Sequence, residues 1–252
     1  MTMMQWAGGT IYGDGGLTDP STVDNLSLWI DASDGTTVTK DGSNRVSQID
    51  DKVGSYNWTQ AGGNALKPIH GTRTINGLDV LDFDGVNQFM NGAAMNAFID
   101  SDGIGAWFCV LEVDSADPVA QPWVNVGVIS DNTSNFTLLH AQDNNGTLEL
   151  GHYSFEGGTN RVDVAAVYSQ THIFTGRYDG TDKRARVDNG TEDTSAAAFT
   201  ASYANGGMKI GGNYNNSNLM EGAIGEFLYY NRALTTDEID SVYGYLVSKW
   251  GV

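Results

Sequence analysis

The chain has one cysteine and four prolines in 252 residues. No intrachain disulfide can form, so stability has to come from buried surface, and a chain of this length has enough for one domain. Positive charge is scarce too, with 13 Lys and Arg against 31 Asp and Glu and a formal net charge of -18. Such a surface field repels phosphate backbones and anionic lipid, which removes nucleic acid from the expected partners. The acidity has two readings, solubility in a salty medium and cation binding. No run approaches the roughly 20 apolar residues that cross a bilayer, so membrane insertion is not expected. The opening "MTMMQWAGGTIYGDGGLTDP" has no basic region and no long apolar stretch. It is not expected to act as a signal peptide, and work outside a cell would need another exit, such as lysis.

Catalytic signatures are equally sparse. There is no Gly-x-Ser-x-Gly elbow, His70, His140, His152 and His172 are scattered, and Cys109 in "AWFCVLEV" reads as a buried strand thiol. "GGTIYGDGG" lacks the Lys-Ser/Thr ending of a phosphate loop. A glycosidase needs two carboxyl groups at a fixed separation, and alternate strand residues share a face. The nearest pairs are Asp82 with Asp84 and Glu112 with Asp114. The first runs into the Asp84-Gly85 turn and the second ends a strand, so both read as structural and no enzymatic activity is expected. Calcium stays open as a cofactor: "DDKVGS" near 50, "SDNTSN" near 130 and "QDNNG" near 142 are oxygen-rich, yet none is an EF-hand loop. "GGNYNNSNLMEG" has two readings, a long hairpin or a glycan site offering Asn213, Tyr214, Asn215 and Asn216 for hydrogen bonds and stacking.

What the chain does have is 32 glycines, clustered with Asn, Asp, Ser and Thr between short apolar runs. That punctuation fits many strands joined by turns. Strands are expected at "LSLWIDASD", "RVSQID", "LDVLDFDG", "GAWFCVLEV", "WVNVGVIS", "FTLLHAQ", "TLELGHYS", "VDVAAVY", "HIFTGRYDG", "KRARVDNG", "MKIGG" and "GEFLYYN". Asp-Gly at 84–85 and 179–180 and Asn-Gly at 145–146 and 189–190 favour tight turns, because both central positions accept positive φ. About a dozen hairpin-linked strands make two stacked antiparallel sheets. A helix is expected over 236–249, with Thr235 and Glu238 as a capping box, Leu234 stapled to Ile239, and Ile239, Val242, Tyr243, Leu246 and Trp250 on one stripe. A one-sided helix needs a surface to cover, and the adjacent sheet is the simplest one. Residues 1–22 read as a separate glycine-rich arm whose Met4, Trp6, Ile11 and Tyr12 would dock on a partner; residues 23–252 read as one domain.

Five segments, "LSLWIDASDGTTV", "RVSQIDDKVGSYNWTQAGGNALKP", "GLDVLDFDGVNQFM", "HIFTGRYDGTDKRARVDNGTE" and "IGEFLYYNRALTTDEIDSVYGYLVSKWG", together resemble the concanavalin A-like, laminin-G-type jelly-roll family across residues 26 to 251. The resemblance implies an all-β, two-sheet antiparallel jelly-roll sandwich with a short C-terminal helix. Such folds host glycan-binding and adhesion modules, glycoside hydrolases and phage components, so sites must decide. The expected function is a non-enzymatic structural protein on the virion surface, a head decoration or a tail or fibre component. It would contact other virion proteins through the arm, form a homo-oligomer, and be able to adhere to a host-surface glycan. The alternatives are a glycan-binding module of an extracellular protein and, behind it, a glycoside hydrolase.

Overall fold

The computed structural model describes residues 16–94, 97–99, 103–115, 126–131, 136–155, 159–196, 207–213 and 218–252. The strands are β1 Leu26–Asp31, β2 Val38–Lys40, β3 Val46–Ile49, β4 Trp58–Thr59, β5 Ile69–Ile75, β6 Leu78–Asp84, β7 Met90–Asn91, β8 Gly105–Ser115 and β9 Val126–Asp131. They continue with β10 Phe136–Asn144, β11 Thr147–Phe155, β12 Thr159–Ala166, β13 Thr171–Tyr178, β14 Asp182–Val187, β15 Asp193–Ala196, β16 Met208–Ile210 and β17 Glu221–Tyr230, and α1 Thr236–Trp250 closes the chain. Two antiparallel sheets result. Sheet A runs β15-β14-β13-β8-β17-β6-β5, with β1 also on β17, and sheet B runs β12-β11-β10-β9-β16-β7-β4-β3-β2.

All twelve expected segments are strands. The additional ones, β2, β4, β5, β7 and β15, are short or polar, and β5, β15 and β2 lie at sheet edges, where one-sided burial leaves no alternation to detect. The Asn145-Gly146 turn between β10 and β11 has φ of 54° and 87°, as a two-residue hairpin with both residues left-handed requires. Asn76-Gly77, at 51° and 76°, does the same between β5 and β6. The expected Asn-Gly turn at 189–190 is corrected: Asp188 is the left-handed residue, at φ 52°, because its carboxylate is taken by His172 and by the Ile173 N–H. At 84–85 the chain enters a loop, where the Asp84 carboxylate accepts from the N–H groups of Val86, Asn87 and Gln88.

Alternation divides the core in two. Leu28, Ile30, Leu81, Phe83, Trp107, Cys109, Phe174 and Phe227 of sheet A meet Ile49, Trp58, Met90, Leu138, Leu150 and Ile210 of sheet B. Burial pushes the Cys109 thiol up, which keeps it an inert core group. The opposite face of sheet A presents Val80, Phe108, Val110, Leu228 and Tyr230, and α1 covers it with Ile239, Val242, Leu246 and Trp250. Tyr243 sits at the rim, with Arg186 over its ring at 5.0 Å. The capping box at Thr235 and Glu238 is formed, Leu234 and Ile239 pack in the same cluster, and Gly251 ends the helix left-handed at φ 72°. Leu17 and Val23 pack there as well, and the Tyr230 hydroxyl donates to the Pro20 carbonyl at 2.9 Å.

The helix is fixed by polar contacts as well as by its stripe. In β17 the register shifts between Ile224 and Glu226, and a Cβ at Gly225 would come within 2.7 Å of the Trp250 ring, so glycine lets the indole lie on the strand. Glu226, 1% exposed, then accepts four hydrogen bonds. Trp29 Nε1 and Tyr245 OH donate to Oε1 at 2.7 and 2.9 Å, and Lys249 Nζ and Trp250 Nε1 donate to Oε2 at 2.8 and 2.7 Å. Burial and the nearby Asp31 push the Glu226 carboxyl up, while Lys249 and Trp250 pull it down. The balance lies above the ordinary carboxylate range, and because the two indoles and the lysine have no acceptor capacity, the network requires acceptor oxygens at this position. Lys249 also reaches Asp31 at 2.8 Å, and Lys52 reaches the same oxygen at 3.1 Å.

Glu226→Ala leaves the Trp29 and Trp250 indoles without their acceptor and Lys249 with Asp31 as its one remaining carboxylate, and is expected to cost about 3–5 kcal/mol, read from the urea midpoint. An unchanged midpoint would mean that the helix is held by its apolar stripe alone. A pH effect follows from Glu238, whose carboxyl is pulled from 4.5 to about 2 by Arg232, with Thr235 assisting. Its folded value lies below the unfolded one, so its stabilisation is complete above about pH 4.5 and is lost as pH falls toward about 2. The melting-temperature gap between the parent and Glu238→Gln should therefore close across that interval.

Candidate functional site

The acidic pairs of the sequence resolve into one ion cluster on the helix-side face of sheet A. Asp82 on β6 and Glu112 on β8 both face Ala223 of β17, whose small side chain leaves room above it. Arg73 of β5 fills that room: its guanidinium meets Asp82 at 3.1 Å, Glu112 at 2.7 Å, and both oxygens of Asp114 at 2.6 and 2.8 Å. Asp84 stands apart in its loop cap. Three carboxylates held by one fork of donors form a cross-strand tie, and neither pair stands open as an acid and a base.

Sheet B has the other outer face. There Gln48, Thr59, Asn91, Lys209 and Ser130 follow one another in register across five strands, with Arg161 farther along on β12, and none is aliphatic. The row arises because the alternate residues on these strands, Ile49, Trp58, Met90, Ile210, Ile129 and Val162, point into the core. Near its centre Lys209 Nζ donates to Asn91 Oδ1 at 2.6 Å and lies 4.3 Å from the centre of the Phe89 ring. Lys209 is 6% exposed, and burial pushes its ammonium below the usual lysine range.

A second row on this face carries His140, Gly151 and Asp163 on β10, β11 and β12. His140 Nε2 and Asp163 Oδ1 are 2.8 Å apart across Gly151, where a Cβ would meet both side chains. Arg161 pairs with the other Asp163 oxygen and lies 3.8 Å from Glu149, which also accepts from Gln142 and from Asn144 at 2.8 Å. Burial would raise Asp163, but His140 and Arg161 hold it below the ordinary carboxylate range. Arg161, Glu149 and Asp163 keep 27%, 20% and 14% side-chain exposure, so the network is rigid yet reachable.

Other expected sites are placed differently. In "DDKVGS" the Asp51 carboxylate accepts from the N–H groups of Trp29, Val53 and Tyr56, and Asp50 accepts from Gln48 and Asn57, so these oxygens serve the loop itself. In "QDNNG" Asp143 accepts from Gly146 N–H and from Tyr168 OH. Among the described residues no group of three His, Cys, Asp or Glu side chains is placed to hold a metal ion. His70 bonds the Ala32 carbonyl at 2.7 Å, and His172 bonds Asp188 at 2.7 Å. Asn213 follows β16, while Tyr214, Asn215 and Asn216, and the arm residues Met4, Trp6, Ile11 and Tyr12, lie outside the described residues. The sheet B face itself was not anticipated: alternation in "TLELGHYS" or "MKIGG" marks which residues point outward, but Asn91 and Lys209 are 118 positions apart and meet only through strand order.

No protein-family model matches the sequence, and no curated protein sequence matches it. Among solved structures, domain 4 of AbnA, a GH43 extracellular arabinanase from Geobacillus stearothermophilus in complex with arabinotriose, aligns with a TM-score of 0.60 at 14% identity, over 87% of this chain and 98% of that one. The binding domain of Paraclostridial Mosquitocidal Protein 1 aligns at 0.58 and 13%, over 87% and 52%. Trypanosoma rangeli sialidase in complex with the inhibitor DANA aligns at 0.57 and 12%, over 87% of this chain and 32% of the enzyme. The chain thus spans about a third of the sialidase and about half of the mosquitocidal binding domain. At these identities the likeness is one of fold: a two-sheet β-sandwich.

Proposed function

We propose that this chain is a non-enzymatic glycan-binding module that holds an oligosaccharide on the outer face of sheet B. The observation that carries the reading is the polar row from Gln48 to Ser130, with Arg161 beyond it, in which Gln48, Asn91, Lys209, Ser130 and Arg161 are held by their neighbours. Sugars present hydroxyls at regular intervals and gain affinity from pre-oriented hydrogen bonds, which a rigid sheet supplies at little entropic cost. The fold is compatible, since domain 4 of the arabinanase is a structure with arabinotriose bound. An extracellular site of action accompanies this proposal. The virion role has no support in the comparisons or among the described residues, and the glycan module, the alternative at the level of sequence, is preferred to it. Hydrolysis is not proposed because Asp82, Glu112 and Asp114 are engaged by Arg73.

A glycan array followed by calorimetry on the best ligand tests this. Arg161→Ala and Asn91→Ala are expected to weaken binding about tenfold or more, the loss of one or two hydrogen bonds to a fixed partner, with the fold retained as read by circular dichroism. Asp82→Asn and Glu112→Gln should leave binding untouched. Sugar release by the parent that disappears in either of the last two variants would replace the module with an enzyme, and affinity unmoved by the sheet B variants would place the site elsewhere.

A further inference from the structure

Nine of the 13 Lys and Arg side chains form ion pairs with described carboxylates, as expected with 31 acids available. Three of the others stand elsewhere. Lys40 reaches His70, Lys67 is partly exposed beside Asn64, and Lys183 faces the interior on the same side of β14 as Ala185 and Val187. Lys209 is different. It stands on the outer face of sheet B, almost wholly buried, and among the described residues its polar and aromatic neighbours are the Asn91 amide oxygen and the Phe89 ring. The row positions flanking it, Ser130, Asn91, Thr59 and Gln48, are neutral. Among the described residues, Glu149 and Asp163 on this face lie three strands and more away in the sheet, tied to Arg161, and Asp50 lies beyond β3, bonded by Gln48 and Asn57.

A desolvated ammonium without a counter-charge costs stability, and a hydrophobic residue of similar length would be the cheaper occupant of such a position. Lysine there is explained if an anion arrives from outside. Asn91 fixes the direction of Nζ, the Phe89 ring shields one side of it from water, and an ammonium with three donors keeps one to offer after those two contacts. Resting on the glycan-binding reading, we propose that Lys209 receives the carboxylate of an acidic sugar, so that the module selects oligosaccharides containing uronic or sialic acid over neutral ones. The long-range field of a chain with net charge -18 opposes any anion. A single desolvated cation therefore has to provide the local attraction, and its effect is confined to the sugar residue it touches.

The test is calorimetry with 3′-sialyllactose against lactose, trigalacturonate against its carboxyl-reduced form, and arabinotriose as a further neutral probe. The expected result is at least tenfold tighter binding of one acidic sugar than of its neutral counterpart. That preference should fall to within about twofold in Lys209→Met with melting temperature unchanged or raised, and should be partly kept in Lys209→Arg. If the Met variant does not fold, Lys209→Gln, which preserves a donor without the charge, gives the same reading. The sialic and uronic arms identify which acid is read. Equal affinity for acidic and neutral sugars, or a preference that survives in the Met or Gln variant, overturns the proposal and leaves the glycan module standing. Absence of binding to every probe, neutral ones included, overturns the module and the proposal with it.

Discussion

A single buried carboxylate governs how this sandwich is finished. Glu226 projects from β17, near the middle of sheet A, and gathers Trp29 from β1 and Tyr245, Lys249 and Trp250 from the helix. An apolar stripe alone would let α1 slide or rotate over Phe108, Val110 and Leu228, because hydrophobic burial is non-directional. Three directional bonds from the helix to one acceptor allow one helix position. The cost of burying the charge is offset only while all four donors are present, so the network acts as a specificity device more than as a source of stability. Gly225 is part of the same arrangement, since any side chain there would strike Trp250 and lift the helix off its acceptor.

The functional consequence is an asymmetry between the two sheets. With α1 seated, the helix-side face of sheet A holds an apolar cluster and, farther along the strands, the Arg73 tie among Asp82, Glu112 and Asp114. Both uses are structural. Sheet B carries no helix among the described residues, and its outer face is polar from Gln48 on β3 to Arg161 on β12. A polar sheet face is ordinarily solvated and needs no ligand to explain it. This one differs in that its side chains are already committed to one another, as in Lys209 with Asn91 and Arg161 with Asp163, and such prior fixing lowers the entropy lost when a ligand is bound.

What the sequence disclosed and what it hid follow from the range of the interactions. Thr235, Glu238 and the Ile239 to Trp250 stripe are local, so the helix and its cap were legible residue by residue. The long strands were legible because one face of each is buried and alternation records that. Strand β5, "IHGTRTI", was not, since Gly71 at φ 87° and the register break between His70 and Thr74 interrupt its period. Yet β5 supplies Arg73, which is why Asp82, Glu112 and Asp114 read as two unexplained pairs. Their partner sits on an edge strand with no signal, and the three carboxylates are gathered by sheet order rather than by spacing.

The same limit applies to the site with more force. Lys209 is the middle residue of a three-residue strand and Asn91 the second of a two-residue strand. Neither segment is long enough to establish a period, and they are neighbours because the chain crosses between sheets before laying β16 beside β7. Strand order places a cation from one distant segment beside an amide from another, under an aromatic ring carried by the loop that precedes β7. A side chain whose charge is costly where it stands, and whose orienting partner comes from elsewhere in the chain, is under a constraint that packing alone does not impose. Sequence alternation could assign Lys209 to the outside of the sandwich; only the assembled sheet shows it buried there between the Asn91 amide and the Phe89 ring.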